Sequence, residues 1–177
     1  ILVKTDIVYL LQPYYNSHLN RAIKSPKIYF RDTGLASFLT AWLTPETLKN
    51  GAIAGHMFET FVVNEIIKSF INAGKDYSKY IYYYHGKDKV KKKKIDALGN
   101  VSEENEESEI DIVIEEDGVL YPIEIKKHAD PRIKDIYTFN ILDKLFGVKR
   151  GEGGVICLYD NLVTLKGNDR VIPIQYL

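Results

Sequence analysis

The residues of this sequence that could do chemistry begin with two acids and a lysine in neighbouring strand-like segments. Asp111 lies in an alternating apolar–polar segment at residues 109–116, and Glu124 and Lys126 lie in a second one at residues 119–126. Such alternation predicts strands with one apolar face. Carboxylates and a lysine on one strand face can hold a divalent cation and stabilise the negative charge of a phosphate under attack.

The turn between the two segments predicts their register. Asp117-Gly118 is typical of a two-residue β-hairpin turn, and counting back from it places Asp111 opposite Glu124 and Glu109 opposite Lys126. Opposed side chains in an antiparallel pair lie about 5 Å apart, so two carboxylates there repel unless a cation compensates. Hard oxygen ligands suit Mg²⁺. The alternative is a solvated hairpin face with a Glu109–Lys126 ion pair.

A fourth candidate, Glu59, lies in the longest predicted helix, from about Ala54 to Ala73. Apolar residues cover most of the circumference of this helix, which predicts that it is largely buried. Glu59 falls within the apolar arc, where a carboxylate is costly unless it is paired or binds a metal. The alternative is an exposed first turn, where Glu favours the helix dipole.

Helical and strand periodicity together predict one pocket on the sheet face that the long helix covers. Glu59, Asp111, Glu124 and Lys126 are expected to converge there although they are far apart in sequence. The isoleucines of the two strands would then face away from the acids: Ile110, Ile112, Ile123 and Ile125.

The remaining segments predict a mixed α/β layer architecture. Further strands are expected within residues 1–13 and at 27–31, 80–84, 155–159, 162–165 and 171–174. Helices are expected at 35–43, capped by Asp32 or Thr33, and at about 130–146. Pro45 and Asn50-Gly51 predict a loop.

Two segments have alternative interpretations. The strands of residues 1–31 and their basic loop (Arg21, Lys24, Lys27) predict the wing of a truncated winged-helix module, or else an ordinary edge hairpin. Residues 85–108 form an insertion with lysines in its first half and glutamates in its second. A solvated, mobile loop whose halves neutralise each other is expected; the alternative is a lysine cluster for a phosphate backbone.

Composition excludes several classes of protein. The 24 basic residues balance the 24 acidic ones, so DNA binding must depend on a local patch. The single cysteine, Cys157, excludes an internal disulfide framework, fits a reducing cytoplasm and is expected to be buried. No segment predicts a membrane span or signal peptide, and no G-x-x-x-x-G-K-[ST] motif predicts an ATP site. Because the chain begins with Ile1, we expect a missing N-terminal part.

The order of these elements resembles a known superfamily. Glu59 on a helix, Asp111 on a strand and Glu124-Ile125-Lys126 on the next strand, followed by a helix, is similar to the PD-(D/E)XK nucleases. The chain as a whole resembles the C-terminal domain of unknown function of bacterial and archaeal AAA-type ATPases. These motifs carry that resemblance: residues 9–14 (YLLQPY), 24–35 (KSPKIYFRDTGL), 55–59 (GHMFE), Glu65, 109–111 (EID) and 122–126 (PIEIK).

The resemblance implies a restriction-endonuclease-like mixed sheet flanked by helices in residues 46–177, preceded by a winged-helix remnant or linker hairpin and short helix in residues 1–45. Asp111 and Glu124 match the metal-binding acids of the superfamily, Lys126 its lysine, and Glu59 the helix acid of some members. Ser108-Glu109-Ile110 departs from the pattern, since many nucleases have Pro before the first Asp.

The implied activity is Mg²⁺-dependent hydrolysis of DNA, catalysed by Asp111, Glu124, Lys126 and Glu59 with the three acids as metal ligands. An upstream ATPase domain of the same polypeptide is the implied partner. The alternative is an inactive nuclease fold that serves the ATPase as a DNA- or protein-binding regulatory module.

Overall fold

The computed structural model describes residues 1–15, 25–95 and 101–177, with side chains described outside residues 87–95 and 101–107. The strands are β1 (Val8–Leu11), β2 (Lys27–Phe30), β3 (Ile81–Ile95), β4 (Val101–Glu116), β5 (Val119–Lys126), β6 (Lys149–Arg150), β7 (Gly154–Cys157), β8 (Val163–Lys166) and β9 (Asp169–Pro173). The α-helices are α1 (Thr33–Leu39), α2 (Pro45–Asn50) and α3 (Ala54–Asn72). Three 3₁₀ helices lie at Tyr77–Lys79, Ile133–Lys144 and Ile174–Tyr176.

The described strands form a mixed sheet and a separate two-stranded hairpin. The sheet order is β3-β4-β5-β7-β9-β8, with β6 beside β5, and the hairpin is β1-β2. β4 is antiparallel to both of its neighbours, β3 and β5, whereas β5, β7 and β9 are parallel. The predicted mixed α/β architecture with an N-terminal hairpin is therefore confirmed.

Each face of the sheet is covered by its own apolar core. On one face α3 and the β1–β2 hairpin pack against the sheet, through buried residues that include Tyr9, Leu11, Tyr29, Val62, Val63, Ile66, Ile67, Ile112, Ile125 and Ile156. On the other face the 3₁₀ helix Ile133–Lys144 packs against residues that include Tyr82, Ile110, Val113, Leu120, Val155 and Cys157. The buried free thiol of Cys157 confirms its expected place in the core.

The hairpin is joined to the sheet by backbone hydrogen bonds as well as by apolar contact. Tyr14 donates its N–H to the carbonyl of Tyr83 at 2.6 Å, and Tyr83 donates its own N–H to the carbonyl of Gln12 at 3.1 Å. The Tyr83 hydroxyl donates to the carbonyl of Ser25 at 2.6 Å. The segment after β1 therefore pairs with the outer edge of β3 and holds the hairpin against the sheet.

The helix expected at about 130–146 is a 3₁₀ helix. Ile136, Phe139 and Leu142 are buried in the core on that face. These residues are three positions apart, and a 3₁₀ helix has three residues per turn, so they form a single row. In an α-helix, residues three positions apart would be spread around the axis. In the observed 3₁₀ helix they all face the core.

The segment expected to be a loop around Pro45 contains helix α2. The Thr44 and Thr47 side chains cap each other's backbone N–H groups, and Pro45 occupies the first turn, where its missing N–H costs nothing. The preceding helix is shorter than expected. α1 begins after its N-cap Asp32, as predicted, and ends before Ala41, whose φ of 61° is incompatible with a right-handed helix.

The charged insertion extends the sheet. The expected loop is wrong for residues 85–95 and 101–108, whose backbones continue β3 and β4 as an antiparallel arm. The register places lysine positions opposite glutamate positions, with Lys92 opposite Glu104 and Lys93 opposite Glu103, and opposite charges across a strand pair are favourable. Residues 96–100, and the lysine side chains proposed for a phosphate backbone, lie outside the described part.

Among described residues, no helix is long and apolar enough to cross a membrane.

The core beneath α3 should be sensitive to loss of volume. We expect Ile112→Ala, which truncates a side chain with 0% exposure, to lower the free energy of unfolding by about 2–5 kcal/mol, because it leaves a cavity under the helix. The matched control is Ile28→Ala, at a side chain that is 67% exposed, which should change stability by about 0.5 kcal/mol or less. Urea denaturation followed by circular dichroism measures both; equal losses would contradict the described core.

Candidate active site

The turn between β4 and β5 sets the register of the acidic strands. Asp117 and Gly118 have φ values of 51° and 76°, as a two-residue hairpin turn with both central residues left-handed requires. The ladder runs from Glu116 opposite Val119 to Ile112 opposite Ile123. The register predicted from Asp117-Gly118 is confirmed over this range.

β4 carries one extra residue where it passes β3, immediately beyond that range. The register on the two sides of this point is given by two pairs, Tyr82 with Val113 and Tyr84 with Ile110. One residue of β3, Tyr83, therefore lies opposite two residues of β4, Asp111 and Ile112. This is a β-bulge, which bends the strand and redirects its side chains.

The bulge reverses part of the predicted orientation of the isoleucines. Ile112 and Ile125 pack on the α3 face, whereas Ile110 packs on the opposite face. The prediction that the strand isoleucines all face away from the long helix is wrong. On β4 the inserted residue interrupts the alternation between Ile110 and Ile112, and on β5 Ile123 and Ile125 pack on the α3 side. Because side chains alternate along a strand, Glu124 and Lys126 lie on the face of β5 away from α3, and the predicted common face for all four site residues is corrected.

The Asp111 carboxylate accepts a hydrogen bond from the backbone of the neighbouring strand. Its Oδ2 accepts the N–H of Ile125 at 2.8 Å. The described β4–β5 pairs end at Ile112–Ile123, while Glu124 and Lys126 continue in parallel pairs with β7. The side chain of Asp111 therefore bridges two strands at the point where their regular pairing stops.

The two carboxylate oxygens of Glu124 have different surroundings. Lys126 Nζ donates to Glu124 Oε1 at 2.5 Å. Glu124 is only 9% exposed, and its buried Oε2 has no hydrogen-bond partner among the described residues. The alternative interpretation, an ion pair between Glu109 and Lys126, is wrong, because Lys126 pairs with Glu124, and Glu109 with Lys27 at 2.5 Å. An unpaired buried carboxylate oxygen is costly unless a cation or donor reaches it.

Glu59 reaches the site from α3. Its Oε1 accepts the hydroxyl of Tyr29 at 2.5 Å and lies 3.6 Å from Lys27 Nζ. Asp111 Oδ1 lies 3.9 Å from the same Nζ. The two acid oxygens are thus at most 3.6 Å plus 3.9 Å apart, within the roughly 8 Å that two ligands of one hydrated Mg²⁺ can span. The structure brings Glu59 and Asp111 together on one side of Lys27.

Burial and repulsion by neighbouring carboxylates raise the pKa values of the two strand acids, Asp111 and Glu124. Burial, followed by the charge of Glu59, raises the pKa of Asp111 to about 6, against the opposing effects of Lys126, the Ile125 N–H and Lys27. Burial, followed by the charge of Asp111, raises the pKa of Glu124 to about 8, against the opposing effect of Lys126. These carboxyls are therefore harder to ionise than isolated ones, and a cation beside them would favour ionisation.

Two of the acids are ligands of the kind that Mg²⁺ takes. No group of three or more His, Cys, Asp or Glu among the described residues could hold a metal ion. Mg²⁺ is usually bound by one or two carboxylates and keeps several waters, and Asp111 with Glu124 supplies that set, including the unsatisfied Glu124 Oε2. Glu59 as a third ligand stays a prediction, since here it is held by Tyr29 and Lys27.

Sequence reasoning missed two members of the site. Lys27 was assigned to a basic loop and Tyr29 to an ordinary strand, and both contact acids 30 or more positions away. No local pattern marks such contacts. His128 is partly exposed, with its Nε2 3.8 Å from Asp135 Oδ2.

Comparisons with known proteins locate the chain without assigning it an activity. Residues 54–177 match the family profile of a domain of unknown function, DUF4143. Residues 1–46 match that of a second domain of unknown function, DUF8612. Neither the curated proteins nor the solved structures gave a match. The residues of the site come from both matched segments.

The raised pKa values predict that stability falls as pH rises. The folded chain keeps protons on Asp111 and Glu124 that the unfolded chain releases at lower pH, so the free energy of unfolding should fall between about pH 4 and pH 8. In the double variant Asp111→Asn/Glu124→Gln, measured in EDTA, the decrease in the free energy of unfolding over this pH range should be smaller by a few kcal/mol. Each unit of pKa shift that the variant removes corresponds to ~1.4 kcal/mol.

The matched control carries the same two chemical changes at exposed acids, Asp160→Asn and Glu46→Gln, and should keep the wild-type pH dependence. Urea denaturation at pH 4.5, 6.5 and 8.5 measures all three proteins. A wild-type stability that rises over this range relative to the Asp111/Glu124 variant would contradict the direction of the shifts.

Proposed function

Because the chain belongs to the DUF4143 family of domains of unknown function, we propose its function from the geometry of the site. We propose a restriction-endonuclease-like domain that hydrolyses phosphodiester bonds of DNA with Mg²⁺ as cofactor. The observation that carries the proposal is the buried Glu124, with an unsatisfied oxygen and Lys126 beside it, next to the half-buried Asp111 that accepts the N–H of Ile125. Buried acids with raised pKa values and a specific charge partner are typical of functional sites.

The proposed roles follow from the contacts of each side chain. Asp111 and Glu124 would hold the metal ion, which when bound supplies Lewis acidity and orients the attacking water. Asp111 is fixed for this role because the Ile125 N–H orients its other oxygen. Lys126 is 36% exposed at its side chain, and its ammonium would stabilise negative charge on the phosphate.

Glu59 has a positioning role in this proposal. It accepts the Tyr29 hydroxyl and lies 3.6 Å from Lys27 Nζ. Its charge favours retention of the Asp111 proton, so ionisation of Asp111 would be coupled to metal binding and to the charge of Glu59.

DNA and the ATPase partner rest on the resemblance. The motifs at residues 24–35 and 122–126 are similar to the C-terminal domains of AAA-type ATPases, so we propose that an upstream ATPase domain of the same polypeptide presents the DNA. A cytoplasmic location fits these partners and the free Cys157. The described surface supplies no base-reading element, so the proposal specifies the phosphodiester and leaves the DNA sequence open.

A regulatory binding module is the second candidate. It is favoured by Lys27, whose ammonium already lies within 4.0 Å of Glu59, Glu109 and Asp111. In that case the acids stabilise the fold through ion pairs with lysine side chains. The domain then binds DNA or protein on behalf of the ATPase and does not cleave it. The two candidates differ in whether the acids bind metal.

Metal binding decides between them. We expect isothermal titration of the wild type with Mn²⁺ or Mg²⁺ to show one site, and Asp111→Asn and Glu124→Gln each to weaken it by about tenfold or more, because each removes one of two anionic ligands. Asp160→Asn, at an exposed acid, is the matched control and should bind like the wild type. Metal-dependent nicking of plasmid DNA should be lost in the same two variants.

Absence of metal binding by the wild type, or binding that Asp111→Asn leaves unchanged, would remove the enzymatic proposal and leave the binding module. Binding without nicking would also favour the binding module, with the metal in a structural role.

A further inference from the structure

The N-terminal hairpin places a cation inside the acidic site. Lys27 Nζ lies 2.5 Å from Glu109 Oε1, 3.6 Å from Glu59 Oε1 and 3.9 Å from Asp111 Oδ1. The three acids come from α3 and the bulged part of β4, whereas the lysine is the first residue of β2. Among the described residues, no other lysine or arginine forms an ion pair with any of the three.

The position of this ammonium is fixed by the hairpin. Tyr29, two residues further along β2, donates its hydroxyl to Glu59 and stacks on Tyr9 of β1, with ring centroids 5.5 Å apart. Lys27 Nζ also lies 5.3 Å from the centroid of the Tyr83 ring, a favourable cation–π distance. The Lys27 side chain is only 24% exposed, so it belongs to the packed structure and is not a freely moving surface lysine.

An ammonium at this position and a metal ion require the same oxygens. A Mg²⁺ ion bound to Asp111 would sit about 2 Å from its oxygen, and Lys27 Nζ lies 3.9 Å from Asp111 Oδ1. A cation so close to a dication is strongly unfavourable at low effective dielectric. Lys126, the other ammonium near Asp111, forms its ion pair with Glu124.

We propose that Lys27 is the resident cation of the acidic site and competes with a divalent metal ion for Asp111. Metal binding then displaces the Lys27 ammonium, and a well-docked hairpin lowers the affinity for metal. The proposal rests on the proposed function, since it concerns the same metal site. It assigns to residues 1–46 a regulatory contact with the acids of residues 54–177.

The test is a titration of the full 177-residue chain with Mn²⁺ at one pH. Lys27→Met keeps the aliphatic stem and removes the charge, and we expect it to bind Mn²⁺ at least about tenfold more tightly than the wild type. Lys75→Met is the matched control, because Lys75 forms an ion pair of 2.6 Å with Glu116, outside the acidic cluster, and should bind like the wild type. Lys27→Arg keeps the competing charge and should bind no more tightly than the wild type.

A second measurement uses the wild type and does not depend on the folding of a variant. Brief acetylation followed by peptide mass spectrometry reports how accessible each amine is. Saturating Mn²⁺ should increase the modification of Lys27 severalfold, because displacement frees its ammonium from the acids, and should leave Lys75 unchanged.

The outcomes separate this inference from the proposed function. Wild-type metal binding with no gain in Lys27→Met, or no change in Lys27 acetylation on saturation, overturns the competition and leaves the metal site in place. Binding by Lys27→Met alone supports the competition. No binding by any of the four proteins overturns both. If Lys27→Met does not fold, the acetylation result for the wild type decides.

Discussion

The extra residue of β4 opposite Tyr83 determines where the acids of this protein point. Without it, Asp111 would continue the alternation of the strand and pair with Glu124 across a regular ladder. With it, the Asp111 carboxylate turns to accept the N–H of Ile125, and regular β4–β5 pairing ends at Ile112 and Ile123. β5 continues beside β7, so Glu124 and Lys126 are held by a different neighbour. The acids lie where the β4–β5 pairing ends and the β5–β7 pairing continues. A site at this position can be accessible to solvent while the apolar core stays intact.

This arrangement concentrates charge in a poorly hydrated place. Glu59, Glu109, Asp111 and Glu124 approach one another from one helix and two strands, and the protein supplies two ammonium groups against them, Lys27 and Lys126. Burial, and after it the charge of a neighbouring acid, raises the pKa values of Asp111 and Glu124 although both ammonium groups oppose the shift. Buried ion pairs seldom repay their desolvation in full, so these acids contribute less to stability than their number suggests.

Local patterns were sufficient to predict much of the fold. Asp117-Gly118 gave the correct register because a turn with two left-handed residues admits only one pairing of its flanks. The length and apolar circumference of α3 gave its burial, and its predicted and observed ranges agree closely. The 3₁₀ helix also left a signal, since Ile136, Phe139 and Leu142 repeat every three residues, but a helical period of three is easily assigned to an α-helix.

The contacts that complete the site could not be predicted in this way. A bulge is an insertion relative to a partner strand, and the sequence of β4 by itself still alternates across Ile110, Asp111 and Ile112. Likewise, the approach of Lys27 to Glu109 joins residues 82 positions apart and depends on how Tyr9, Leu11 and Tyr29 dock against α3. Periodicity describes which face of an element is apolar, whereas both of these features depend on which other element that face meets.

The docking of the hairpin has a further consequence for residues 54–177. Tyr9, Leu11 and Tyr29 are buried in the same core as Val62, Ile66 and Ile112, and Tyr14 and Gln12 hydrogen-bond to Tyr83 directly opposite the bulge. Removing the hairpin would therefore expose the apolar face of α3, leave the edge of β3 unpaired beside the bulge and take away the ammonium that lies within 4.0 Å of three acids. The hairpin and the sheet thus share a core, a strand edge and a charge balance, and the acidic site is a property of both matched segments together.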